Sequence, residues 1–179
     1  TEVDVPFEYT VEDHPTTTES IGNLMSTLDG ELKYTKRERQ HNTVRAIADY
    51  MLGDGAGDDL FDDLNTRSRY PKLQVRDDDE ELLATMVPTY GALAFTLAGA
   101  HRWVESDAPT KTVEIDAFVP QGSVLAPGVV DAADDIRVGD EVVVEGPRAF
   151  AVGRAEMHGA EMRSSTRGIA VDVRHSEER

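Results

Sequence analysis

The segment 122–175, GSVLAPGVVDAADDIRVGDEVVVEGPRAFAVGRAEMHGAEMRSSTRGIAVDVRH, most restricts what this chain can fold into. Its pieces VVVEG, AFAVGRAEM and GIAVDVRH are rich in Val, Ile and alternating apolar residues, and Gly, Pro or Asp bounds each one. Short β-runs with turn residues at their ends predict an all-β barrel module. Pro127-Gly128 fixes one backbone angle and frees the next, so a sharp turn is expected that brings backbone close to a ligand or a neighbouring strand. Gly139-Asp140 reads as a tight turn opening a strand over 141–145. Gly153 and Gly168 sit inside strand-like runs and predict bulges or corners where the barrel bends.

The preceding residues have a different pattern. Over 36–52, Val44, Ile47, Ala48, Met51 and Leu52 fall on one helical face, Thr35 and Glu38 have capping-box spacing, and Gly53 ends the run. The acidic, glycine-rich GDGAGDD that follows is expected to be a loop. It leads through a turn at Leu60-Phe61 and Leu64 into strands at 72–75, 82–87 and 93–97, with a short helix or turn over 99–104. Together these make one helix on a small antiparallel sheet. The polar, proline-containing stretch 106–111 is the expected boundary and divides the 179 residues into domains 1–107 and 108–179.

Charge sets the conditions for any partner. With 35 acidic against 18 basic residues the net charge is −17, which on a first electrostatic pass is hostile to nucleic acid. Only four of the 18 cations are lysines, however, and the acids are spread along the chain rather than collected in a tail. That composition resembles proteins of halophilic archaea, whose acidic surfaces stay hydrated in concentrated salt. At ~1 M ionic strength the Debye length is ~3 Å, so steering towards phosphate and counterion release would contribute little. RNA binding would then rest on short hydrogen bonds, backbone contacts and shape. The competing reading of the acidity is a basic protein partner.

Several chemistries find no support. The chain has no cysteine, which excludes disulfides, thiolate metal sites and cysteine nucleophiles. No apolar run approaches the ~20 residues that span a bilayer, and TEVDVPFEYT lacks a basic region followed by an apolar core. A soluble, cytoplasmic protein with no membrane partner is expected. His14, His41, His101, His158 and His175 are scattered, with no two at metal-ligand spacing. The acidic clusters Asp58-Asp59, Asp62-Asp63 and 77–81 read as solvated surface rather than oxygen ligands. The glycine loop 53–57 follows a helix rather than a strand and lacks the Lys-Ser/Thr ending of a phosphate loop. Trp103, near Leu97 and Ala100, reads as a core or interdomain anchor rather than a base-stacking platform. No catalytic residue, metal or cofactor is assigned.

The loop Val124-Leu125-Ala126-Pro127-Gly128-Val129, the turn Gly139-Asp140-Glu141-Val142, the strand around Ala151-Val152-Gly153-Arg154-Ala155 and the closing Arg167-Gly168-Ile169-Ala170-Val171 together resemble a PUA domain, a small RNA-binding β pseudobarrel. Upstream, residues 45–57, 81–87 and 99–103 resemble the domain that precedes PUA in archaeal tRNA-guanine transglycosylases and archaeosine-pathway proteins. That family implies a cystatin-like helix on an antiparallel sheet, so an α+β fold is expected, this pre-PUA domain followed by the PUA pseudobarrel. The transglycosylases also carry a large catalytic barrel with zinc cysteines, and this sequence has neither. Guanine exchange is therefore not carried over, and the resemblance implies a stand-alone accessory version of the RNA-gripping end.

The PUA resemblance places an RNA-contacting face on Gly122, Ser123, Val124, Ala126, Pro127 and Gly128, with Arg163, Arg167, Gly168 and Arg174 on the closing side. From Met162 to His175 there are three arginines and one acid, a local reversal of the chain's charge. Arginine offers planar, multi-donor contacts to phosphate, although Arg163 and Arg167 could equally pair with nearby carboxylates. The resulting reading is a non-catalytic RNA-binding accessory protein, tRNA-binding and linked to tRNA modification, whose partners are tRNA and a modification enzyme, with no DNA. The alternative is a non-catalytic interaction subunit of an RNA-modification or translation complex. An enzyme in its own right has the least support.

Overall fold

The apolar face read over 36–52 is helical throughout those residues, here α1, and the helix ends at Leu52. Val44, Ala48 and Leu52 are buried, and Ile47 and Met51 pack against the same core. The computed structural model describes residues 36–69 and 72–179, with residues 26 and 28. The expected cap Thr35 and the N-terminal TEVDVPFEYT lie outside the described residues. The expected loop GDGAGDD instead holds a short helix, α2 (Ala56–Leu60). Asp49 of α1 makes this possible by accepting a hydrogen bond from the Gly57 amide at 2.8 Å, while Asp58 and Asp59 occupy the first turn of α2, where carboxylates are favoured.

A four-stranded antiparallel sheet follows, with order β1-β2-β3-β4: β1 (Asn65–Arg69), β2 (Lys72–Arg76), β3 (Leu82–Val87) and β4 (Ala92–Phe95). β1 has no counterpart in the sequence reading. Its NTRSR sequence offers no apolar alternation, and it forms because it is an edge strand paired with β2 on one side only. β4 stops at Phe95, and Leu97, expected at the end of a strand, begins α3 (Leu97–Glu105). Thr96 makes the switch as N-cap, its hydroxyl accepting from the Gly99 amide at 3.2 Å. Trp103 is fully buried, stacks on Phe95 at 5.4 Å and donates from Nε1 to the Pro109 carbonyl at 3.1 Å, the core anchor its neighbours implied.

The second sheet contains β5 (Thr112–Ile115), β6 (Ser123–Leu125), β7 (Val129–Ala132), β8 (Glu141–Gly146), β9 (Ala149–Ala155) and β10 (Ile169–Glu178), in the order β6-β10-β9-β8-β5-β7. All pairings are antiparallel except β5 with β8. Its outermost strands, β6 and β7, are joined only by a 3₁₀ turn, Ala126–Gly128. Four peptide steps reach about 14 Å, whereas the edges of a flat six-stranded sheet would stand about 24 Å apart. The sheet must therefore curl until its edges meet, which makes it a pseudobarrel. A helix, α4 (Gly159–Ser164), packs over β7.

Residues 40–179 form one compact unit. The run VVV in β8 and FAV in β9 is buried on both faces of the sheet. Val142, Val144, Ala149 and Ala151 point into the barrel core, while Val143, Phe150 and Val152 join the core of the helix-on-sheet domain. An uninterrupted apolar run, rather than an alternating one, is what a strand covered on both faces requires.

Candidate nucleic-acid interface

The two sequence segments expected to face RNA are brought together by strand pairing. β6 lies antiparallel to β10, with Leu125 opposite Ile169, Val124 opposite Val171 and Ser123 opposite Asp172. Backbone bonds fasten both ends of this junction: the Ala126 amide donates to the Gly168 carbonyl and the Val173 amide to the Gly122 carbonyl, each at 3.0 Å. Gly122 and Gly168 have φ of 81° and 98°, a left-handed geometry that side chains disfavour, so these turns depend on glycine. Gly168 lies in the bend just before β10 rather than inside a strand, and the bulge falls at Ala170, where the register of β10 against β6 shifts between Ile169 and Val171.

Alternation then sorts the side chains. The side chains of Val124 and Ala126 are buried in the barrel core, so only their backbone is open to a ligand, whereas Gly122 and Pro127 are exposed and Ser123 and Gly128 half-buried. Leu125 points outward at 54 % exposure and meets Ile169, 47 % exposed, across the strand pair. Neither residue was singled out from the sequence. The signal was available in the inward placement of Val124 and Ala126, which forces Leu125 between them to face out.

The four cationic-side residues divide three ways. Arg167 and Gly168 are exposed beside the junction, and Arg167 has no ion-pair partner among the described residues. Arg163, on α4, is committed to its own domain: it donates to the Ala132 carbonyl and to Asp134, with Asp131 at 3.8 Å. Arg174 faces elsewhere altogether. The Cβ that any other residue would carry at position 153 would lie 2.2 Å from the Asp172 carbonyl oxygen, so only glycine lets β10 pass this close. Opposite it the β10 register shifts between Val173 and His175, leaving Arg174 as the unpaired, bulged residue. A bulge re-aims its side chain, and here the guanidinium turns towards the seam between the two domains.

There Arg174 pairs with Glu141, a carboxylate only 6 % exposed at the start of β8. Together they satisfy the open edge of β4: the Phe95 amide donates to Glu141 Oε1 at 2.8 Å, and Arg174 Nη2 donates to the Phe95 carbonyl at 3.1 Å. Burial holds the Arg174 pKa below its ordinary value, yet an arginine remains charged throughout the accessible range. The adjacent His175 is held below the usual imidazole value by partial burial and then by the Arg174 charge. Lower on the same seam, His101 stacks on Phe150 at 4.1 Å and meets Glu177 at 2.6 Å. No cluster of three metal-ligating side chains occurs among the described residues.

The glycine-turned pseudobarrel and the helix-on-sheet unit each match a known family. Residues 112–176 match the PUA domain, and residues 42–109 match the patch-forming domain C2 of tRNA-guanine transglycosylase. Residues 42–176 are a C2 domain followed by a PUA domain. It is 68 % identical over 99 % of its length to an archaeosine synthase of Haloferax volcanii, and 42 % identical over 93 % to the archaeosine synthase subunit alpha of Methanosarcina acetivorans. A tRNA-guanine(15) transglycosylase of Thermococcus kodakarensis is 31 % identical over 84 % of the chain. The chain spans only about 31 % of the Haloferax protein, 28 % of the Methanosarcina protein and 28 % of the transglycosylase, so it corresponds to a C-terminal part of such enzymes. Among solved structures, a crystallised protein of unknown function shares 31 % identity at a TM-score of 0.60, covering 75 % of this chain and 46 % of its own. A hypothetical protein from Pyrococcus horikoshii shares the fold at a TM-score of 0.60 with 23 % identity, covering 76 % of this chain and 89 % of its own. The C2 domain is thus the α+β unit expected before PUA. No helix among the described residues is long and apolar enough to cross a membrane.

Proposed function

We propose that the C2–PUA unit grips tRNA for a tRNA-modification reaction whose chemistry is carried by a catalytic domain outside residues 40–179. The observation that carries this reading is the junction of β6 and β10. It combines exposed glycine-turned backbone at Gly122 and Gly168, the half-buried Ser123 and Gly128, the exposed Pro127, and the unpaired Arg167, in a chain 68 % identical to part of an archaeosine synthase. Val124 and Ala126 contribute backbone, Arg163 braces the turn through Asp134 and Ala132, and Arg174 fixes the C2 domain behind the face. Duplex RNA is read by shape and by its 2′-hydroxyls and phosphates. A ledge of backbone with one free guanidinium suits that task in an acidic chain, where long-range attraction is absent. The overall acidity belongs to the solvent, as a salt-adapted surface, rather than to the partner.

The test is filter binding of total tRNA in about 2 M KCl, where loose phosphate attraction is suppressed. Wild-type protein is expected to retain tRNA and Arg167→Ala to lose most of that retention. Failure of wild-type protein to retain any RNA refutes the reading. The exposed pair Leu125 and Ile169 favours a second reading, a protein-docking face for a modification enzyme. Co-purification of a defined enzyme that Leu125→Asp abolishes, without RNA retention, would favour it.

A further inference from the structure

The large apolar side chains left exposed among the described residues fall mostly in two places. Leu125 and Ile169 sit at the PUA edge. Tyr50, Tyr90 and Val138, exposed at 90 %, 65 % and 52 %, line one cleft of about 600 Å³ between the C2 and PUA domains. Tyr50 comes from the end of α1, Tyr90 from the turn between β3 and β4, Val138 and Arg137 from the loop before β8, and Arg154 from β9. The cleft volume lies within the ~300–1,000 Å³ of sites that enclose a small organic ligand.

The electrostatics of this cleft differ from those of the chain. Lys111 is neutralised by Asp140 at 2.7 Å, and Glu141 by Arg174. Among the described residues that leaves Arg137, Arg154 and Asp135 without an ion-pair partner in the cleft, two guanidiniums against one carboxylate in a chain of net charge −17. The Arg154 guanidinium lies 4.9 Å from the Tyr90 ring centroid. A cation over one face of an exposed ring holds that ring in place and adds a second planar surface beside it. Exposed rings next to uncommitted guanidiniums match a ligand with a flat aromatic part and an anionic part. An acidic peptide would engage the arginines and leave both rings uncovered, whereas a nucleotide uses both features.

We infer that this cleft receives one unpaired nucleotide of the bound RNA, its base stacked on Tyr90 or Tyr50 and its phosphate held by Arg137 and Arg154. Stacking is tolerant of base identity because every base has a π-face, so this site would add affinity for an unpaired position without fixing its sequence. The inference rests on the RNA-binding reading for the source of the nucleotide, but it uses none of the residues of the β6–β10 edge.

Ultraviolet cross-linking of total tRNA to the full chain, with peptide mapping, tests it alongside tRNA retention by Tyr90→Ala and Tyr90→Phe. Cross-links are expected on peptides carrying Tyr50 or Tyr90. Tyr90→Ala should weaken retention about tenfold, and Tyr90→Phe, which keeps the ring, should not. Because Tyr90 is exposed, both variants should unfold at the wild-type midpoint. Cross-links confined to the β6–β10 edge, with Tyr90→Ala binding as wild type, would overturn the cleft site and leave the RNA reading standing. Absence of any tRNA retention would overturn both. Cross-linking of free AMP at Tyr90 that excess tRNA fails to displace would overturn RNA as the source of the nucleotide.

Discussion

The two sides of the PUA barrel are built on opposite rules. Along β8 and β9, apolar side chains are buried on both faces, and the seam with the C2 domain is closed by Phe150, Val143 and Val152 and by the Glu141–Arg174 pair. Along β6 and the first residues of β10, the chain turns on Gly122 and Gly168, and Leu125, Ile169 and Arg167 stand in solvent. The first side fixes geometry and the second is left exposed, as the proposed RNA-binding edge requires. Both depend on bulges in the same strand: the one at Arg174 sends a guanidinium into the seam, and the one after Ile169 shapes the open edge. The same strand thus contacts the C2 domain at one bulge and forms the proposed binding edge at the other.

Removing the buried carboxylate of the Glu141–Arg174 pair should have the largest effect on stability. Glu141→Ala strands the Phe95 amide and leaves the half-buried Arg174 guanidinium to solvent, and urea unfolding is expected to show a loss of about 2–3 kcal/mol. A loss below about 1 kcal/mol, the range of an exposed pair, would mean that the seam is not closed by this contact. Next comes Gly153→Ala, whose methyl group has no room against the Asp172 carbonyl. Overpacking of this kind costs about 1–3 kcal/mol, and here it should also loosen the C2 domain, read as faster amide exchange at Phe95. Wild-type exchange at Phe95 would separate the bulge from the seam.

At the open edge the order of effects reverses. Arg167→Ala and Leu125→Asp should change stability by less than about 0.5 kcal/mol while lowering tRNA retention in concentrated salt. An unfolding midpoint that falls with retention would show that the edge is structural after all. The smallest effect belongs to His175. Its folded pKa lies below the unfolded value, so its neutral form contributes stability that is complete above the unfolded pKa of about 6.5 and is lost as pH falls through the folded pKa. His175→Asn should slightly flatten the decline of stability on acidification below that pH. Its side chain is largely solvated, so solvent screening keeps the effect small.

Much of this comparison was legible in the sequence. The periodic face of α1, the apolar runs of β8 and β9 and the turn at Gly139 all carry local signals that agree with the fold. What the sequence concealed depends on tertiary contact. The polar β1 exists only because β2 pairs with it, and α2 forms because Asp49 reaches the Gly57 amide across a turn. Arg174 sits in an arginine-rich run that reads as a phosphate-binding surface. Only the bulge opposite Gly153, a consequence of how two strands approach, directs it to Glu141 instead. The cleft lined by Tyr50 and Tyr90 was equally hidden, since its walls come from residues forty positions and more apart that meet only when the domains pack.

Hydrogen exchange of the full chain with and without tRNA, in about 2 M KCl, tests the division between closed seam and binding edge most directly. New protection is expected at the backbone around residues 122–128 and 167–172, and at the cleft turns carrying Tyr90 and Arg137 if a nucleotide lodges there, with the amides of 142–152 in β8 and β9 unchanged. Protection that leaves 122–128 untouched while tRNA is bound would contradict that division and place the RNA on another face.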